Sequence, residues 1–136
     1  MKIINVEPWI TGAESHHLSK VIKKTFLTEN KETELFEKNI RQRVNSKVAI
    51  TVNNWTSCVF IILKALNLKK DDEVIIPNLT FIATANAVIY AGAKPVFCDI
   101  DPKNLSIDLK KVKKLISKKT KCIIPVHLYG HCCNLD

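Results

Sequence analysis

Four short stretches carry the residue types that do chemistry: Asn53-Asn54-Trp55-Thr56-Ser57, Pro77-Asn78-Leu79-Thr80-Phe81, Asp99-Ile100-Asp101-Pro102 and His127-Leu128-Tyr129-Gly130. In the first, two hydroxyls stand where an apolar run begins. The first turn of a helix there offers unpaired N–H donors and partial positive charge, which suits a phosphate. The same Asn and Thr side chains equally suit a plain helix cap. In the second, Phe81 offers a flat face to a planar ring, or an ordinary core side chain. In the third, paired carboxylates invite Mg²⁺. However, Pro102-Lys103 does not extend a phosphatase signature, and Asp before Pro commonly starts a turn. The fourth, with His131, Cys132 and Cys133, gathers soft ligands within seven residues. Adjacent cysteines serve one tetrahedral zinc poorly, and the C-x₂-C pair is missing. The reading is therefore no metal site.

These stretches need elements to hold them. Thr11 and Glu14 have capping-box spacing, and Leu18, Val21, Ile22 and Phe26 follow at helical spacing. A second helix is predicted over about 32–44, with Phe36, Ile40 and Val44 on one face. From Val48 onward strand and helix alternate. Strands are predicted over 48–52, 73–76, 95–100 and 121–127. The intervening helices are 56–68, buried on most sides, then 80–91, stopped by Gly92, then one capped by Asp108 that turns Leu109, Val112, Leu115 and Ile116 inward. The fold class is α/β: two helices, then a parallel β-α-β-α-β-α-β. The strands are continuous apolar runs, as in a sheet covered on both faces. Right-handed crossovers put the strands' carboxyl ends on one edge, where open α/β sheets bind ligands. The domain division expected is a helical segment over 1–47 and an incomplete α/β domain over 48–136. The last strand and loop arrive without a following crossover helix, so the sequence reads as the front of a larger domain.

Composition sets outer limits. The chain has 136 residues, 46% hydrophobic and 25% charged, which excludes a disordered chain. No apolar run approaches the roughly 18 residues of a membrane span, and no signal-peptide pattern opens the chain. Five Cys match no disulfide framework, which points to a reduced, cytoplasmic setting. Net charge is +8, yet every basic residue except Arg41 and Arg43 is Lys. The run Lys110, Lys111, Lys113, Lys114, Lys118, Lys119 and Lys121 has no interleaved aromatic. It reads as a solvated helix face rather than a nucleic-acid surface.

Taken in order, the motifs resemble one family. Asn54-Trp55-Thr56-Ser57, Asp72-Glu73-Val74-Ile75-Ile76-Pro77 and Thr80-Phe81-Ile82-Ala83-Thr84-Ala85-Asn86-Ala87 look like the DegT/DnrJ/StrS sugar aminotransferases. So do Gly92-Ala93-Lys94-Pro95-Val96-Phe97, Asp99-Ile100-Asp101, Ile124-Pro125-Val126-His127-Leu128-Tyr129-Gly130 and the opening Glu7-Pro8-Trp9-Ile10-Thr11-Gly12. The resemblance implies the N-terminal part of a fold-type-I aminotransferase large domain. It also implies pyridoxal 5'-phosphate as cofactor, a nucleotide-linked keto sugar as substrate, glutamate as amino donor and a homodimer. By the same resemblance Thr56 and Ser57 hold the cofactor phosphate, Phe81 stacks on its ring, and His127 lies near its pocket.

Departures accompany the match. Cys58 stands where the family usually has Gly or Ala, Asp71-Asp72-Glu73 replaces a Gly-Asp-Glu turn, and the usual Gly around residues 28–31 is absent. The family's Schiff-base Lys, and the Asp that pairs with the cofactor's ring nitrogen, come later than these 136 residues reach. Lys94 and Lys121 begin strands at the wrong edge. The expectation is an aminotransferase in the complete protein and no turnover by this chain alone. The alternative is a non-catalytic or partner-binding remnant.

Overall fold

The computed structural model describes residues 7–24, 27–28 and 31–135. The chain divides into two compact units, Met1–Thr51 and Val52–Asp136.

The first unit holds α1 (Ala13–Ile22) and α2 (Lys31–Arg43). Gly12 caps α1 in the left-handed region, with φ 88°. Glu14 reaches back to accept the Thr11 N–H at 3.1 Å, while the Thr11 hydroxyl takes the Ala13 N–H at 3.4 Å. Its carboxyl lies below the usual carboxylate range, held there by its own backbone N–H and by Thr11. Neither helix buries a residue. Leu18, Ile22, Phe36, Ile40 and Val44 all stay exposed. The expected apolar position Phe26 lies outside the described residues.

The predicted strand over 48–52 does not form. A strand needs a neighbour for its backbone groups, and this segment uses side chains instead. The Thr51 N–H donates to Glu37 Oε1 at 2.7 Å, and the Ser46 hydroxyl donates to the Val48 carbonyl. β-branched residues favour a pleated surface but do not supply its partner.

The second unit runs α3 (Trp55–Ala65), β1 (Glu73–Pro77), α4 (Ala83–Ala91), β2 (Lys94–Cys98), α5 (Leu109–Leu115) and β3 (Thr120–Ile123). The three strands form a parallel sheet in the order β2-β1-β3, with Glu73 opposite Lys94 and Ile75 opposite Ile123. β1 is the central strand, and Val74 through Pro77 are all buried. Its side chains alternate between faces. Val74 and Ile76 join Val59, Leu63, Ala85, Ala87 and Val88 on one face. Ile75 joins Cys98, Ile107 and Val112 on the other. Burial there pushes the Cys98 thiol up.

Several boundaries differ from expectation. α4 begins at Ala83, not Thr80, and ends at Gly92 with φ 89°. β2 stops at Cys98, after which Ile100 makes an isolated antiparallel bridge to Ile107. β3 stops at Ile123, which leaves His127 in a loop. Asp108 caps α5 as expected, accepting the Lys110 N–H at 2.9 Å, but Ile116 lies past the helix and is exposed. α3 is not buried on most sides. Only Val59 and Leu63 are buried, while Ile61, Ile62 and Leu66 remain 52%, 53% and 50% exposed. A helix packed along one stripe leaves its other faces to solvent. Among the described residues, no helix is long and apolar enough to cross a membrane.

Candidate functional site

Because the strands are parallel, their carboxyl ends share one edge. α3 packs on α4 and leads by a short turn into the start of β1, which sets its C-terminus toward the opposite edge and its N-terminus toward the carboxyl edge. α4 leaves the end of β1 and returns to the start of β2, so its N-terminus lies there as well.

At the head of α3, the Asn54 side chain accepts the Ser57 N–H at 2.9 Å, and the Asn54 carbonyl takes the Cys58 N–H at 3.1 Å. One of the four orphan donors of the first turn is thereby used. The N–H groups of Trp55 and Thr56 and the hydroxyls of Thr56 and Ser57 have no hydrogen-bond partner among the described residues. The capping alternative is therefore realised by Asn54, and the two hydroxyls are left over.

Phe81 lies ahead of α4, and its carbonyl takes the Thr84 N–H at 3.0 Å. Its side chain is 73% exposed, so it is not a core residue. Behind it, the Thr80 and Thr84 hydroxyls share a 2.9 Å hydrogen bond, with Thr84 fully buried.

His127 follows β3. Its Nδ1 accepts the Cys133 N–H at 3.0 Å, and Cys133 Sγ donates to the Val126 carbonyl at 3.1 Å. Spacing alone did not announce this contact. It depends on the Leu128–Gly130 turn, where Tyr129 and Gly130 both have positive φ.

The carboxylates of the third loop are engaged within the protein. Asp99 Oδ2 pairs with Lys111 Nζ at 3.0 Å, and Asp101 Oδ1 accepts the Lys103 N–H at 2.9 Å. The Asp99 hydrogen bond raises the Lys111 ammonium above its ordinary range. Among the described residues, no three His, Cys, Asp or Glu side chains group as metal ligands. Thr56, Ser57, Phe81 and His127 thus share the carboxyl edge, but no hydrogen bond joins one to another among the described residues.

An α/β layer with an open helix N-terminus and a bare aromatic at the strands' carboxyl ends is the front of an open-sheet, ligand-binding fold. The family model for DegT/DnrJ/EryC1/StrS aminotransferases matches residues 8–136, and the chain belongs to that family, whose members use pyridoxal phosphate. GDP-perosamine synthase of Escherichia coli O157:H7 is 36% identical over 138 residues, covering 100% of this chain and 38% of that protein. GDP-perosamine synthase of Caulobacter vibrioides is 46% identical over 101 residues, covering 74% of this chain and 27% of that protein. Among solved structures, Helicobacter pylori PseC, an aminotransferase involved in pseudoaminic acid biosynthesis, superposes with a TM-score of 0.88 at 27% identity. That match covers 98% of this chain and 36% of PseC. The putative sugar aminotransferase Spr1654 of Streptococcus pneumoniae, in its PLP form, gives a TM-score of 0.85 at 30% identity, covering 93% of this chain and 32% of Spr1654. The chain spans about a third of the length of these relatives and matches their N-terminal part.

Proposed function

We propose that the protein carrying this chain is a pyridoxal-phosphate-dependent aminotransferase. It moves the amino group of glutamate onto the keto carbon of a nucleotide-linked sugar, leaving 2-oxoglutarate. The single observation that carries this reading is the open first turn of α3, whose unpartnered hydroxyls and N–H groups match the donor set a phosphate requires. The nucleotide-sugar names of the relatives support the substrate class, among them a UDP-2-acetamido-2-deoxy-3-oxo-D-glucuronate aminotransferase of Pseudomonas aeruginosa.

In this reading Thr56 and Ser57 hold the cofactor phosphate with their hydroxyls, helped by the Trp55 and Thr56 N–H groups. Phe81 lays its exposed ring along the cofactor plane. His127 lies beside the pocket. When bound, the cofactor supplies an electron sink for the amino-bearing carbon. The proposal includes a homodimer, a cytoplasmic setting, and the division into a helical segment over 1–47 and a cofactor-binding domain over 48–136. These residues include no counterpart of the Schiff-base Lys, so the 136-residue chain binds cofactor without turnover. A second reading, a non-catalytic partner-binding chain, draws on the exposed Ile61, Ile62 and Leu66.

The test is a titration of the chain with pyridoxal 5'-phosphate, followed by quenching of tryptophan fluorescence, with pyridoxal as the control lacking phosphate. Trp55 stands at the cradle as reporter. Saturable quenching is expected with the phosphorylated compound only. Replacing both Thr56 and Ser57 by Ala should weaken it about tenfold or more, about tenfold being the scale of one hydrogen bond to a charged group. Equal behaviour of the two compounds removes the cradle. Release of 2-oxoglutarate from glutamate by the chain alone would overturn the claim that it lacks its lysine. Absence of cofactor binding would favour the partner-binding reading.

A further inference from the structure

The loop after β3 is tied back on itself twice. Tyr129 (φ 51°) and Gly130 (φ 78°) both adopt left-handed backbone and reverse the chain. The reversal returns Cys133 to Val126 and His127. There the buried Cys133 thiol donates to the Val126 carbonyl at 3.1 Å, and the Cys133 N–H donates to His127 Nδ1 at 3.0 Å. The imidazole remains exposed. A nitrogen that accepts a hydrogen bond carries no proton, so the neutral ring holds its proton on the other nitrogen. Nε2 has no partner among the described residues.

We propose that the backbone N–H of Cys133 fixes His127 as the Nε2–H tautomer, making His127 a one-way hydrogen-bond donor to an oxygen acceptor of the bound group at the sheet's carboxyl edge. This rests on the cofactor-binding reading above. Cys133 is a positioning residue: it acts through its main chain, and His127 meets the ligand. A ring free to change tautomer presents a donor or an acceptor as the partner demands. A ring committed at Nδ1 rejects another donor and selects an oxygen atom.

The tautomer is read by nuclear magnetic resonance on the full chain labelled with ¹⁵N. A nitrogen–nitrogen coupling across the hydrogen bond between the Cys133 amide and His127 Nδ1 is expected, with the ring proton on Nε2. A proton on Nδ1, or no coupling, overturns the assignment. The donor role is read with two variants titrated with pyridoxal 5'-phosphate. His127→Gln keeps an N–H near the ε position, whereas His127→Asn keeps a polar group only near the δ position. Affinity should fall roughly twofold to tenfold in His127→Asn, the range of one lost hydrogen bond, with His127→Gln closer to the parent. The reverse order, or no change in either, reduces His127 to a loop anchor. If the parent chain binds no pyridoxal phosphate, the cofactor-binding reading fails and the donor role falls with it, while the coupling still decides the tautomer.

Discussion

The helices α3 and α4 lie against one another, and they use apolar residues in opposite ways. α4 is built from small side chains and buries six of its nine residues. α3 carries larger ones and buries two of eleven. The reason is access. Ala83, Ala85, Ala87 and Ala91 let α4 come close to the sheet, so it touches β1 and β2 on one side and α3 on the other. α3 meets that layer through Val59 and Leu63 and turns Ile61, Ile62 and Leu66 away from it. An apolar sequence therefore states that cover is needed, while side-chain size decides which helix receives it within this chain.

The contrast can be broken at its strongest point. Val88→Asp places an unpaired carboxylate against β1 and should cost about 3 kcal/mol or more in urea unfolding. Ile76→Ala, also fully buried, should lose about 2–5 kcal/mol through the methyl groups removed and the cavity left. The two helix heads come next. Asn54→Ala and Asp108→Ala each remove a side-chain cap and should cost about 1 kcal/mol. Ile62→Gln, on the open face of α3, should change stability by less than about 0.5 kcal/mol. A loss as large as that of Ile76→Ala would mean that the outer face of α3 is covered in solution. The smallest effect is electrostatic. The Glu14 carboxyl sits below its ordinary value, so its support for the head of α1 is complete above the unfolded value and fades as pH falls through the folded one. Circular dichroism should show that acid-induced fraying in the parent and not in Glu14→Gln.

Much of this architecture was legible because local chemistry and global fold agree. Gly92 ends α4, Asp108 heads α5, and the apolar runs at β1 and β2 pair in parallel. Where they fail to agree, the missing information is a partner. The 48–52 segment has strand-forming residues, yet Glu37 takes its Thr51 N–H, and nothing in the segment itself names that acceptor. At the site, the hydroxyls of Thr56 and Ser57 were visible as a pair, but their being left over depends on Asn54 doing the capping. Phe81 had two open fates until its exposure removed the core one. The His127–Cys133 contact depends on a left-handed Tyr129, a backbone state that its residue type does not advertise.

The central position of β1 also sets an order in time. Its pairing with β2 spans one intervening helix, whereas its pairing with β3 spans two, with a register shift at Glu73/Val74. Closing the longer loop costs more chain entropy, and it yields a shorter and less regular ladder. Within this chain the β1-α4-β2 unit is therefore expected to form before β3 joins it. In hydrogen exchange, backbone amides bonded between β1 and β2 should outlast those bonded between β1 and β3. On that expectation, the loop bearing His127 hangs from the strand that is released most readily within this chain.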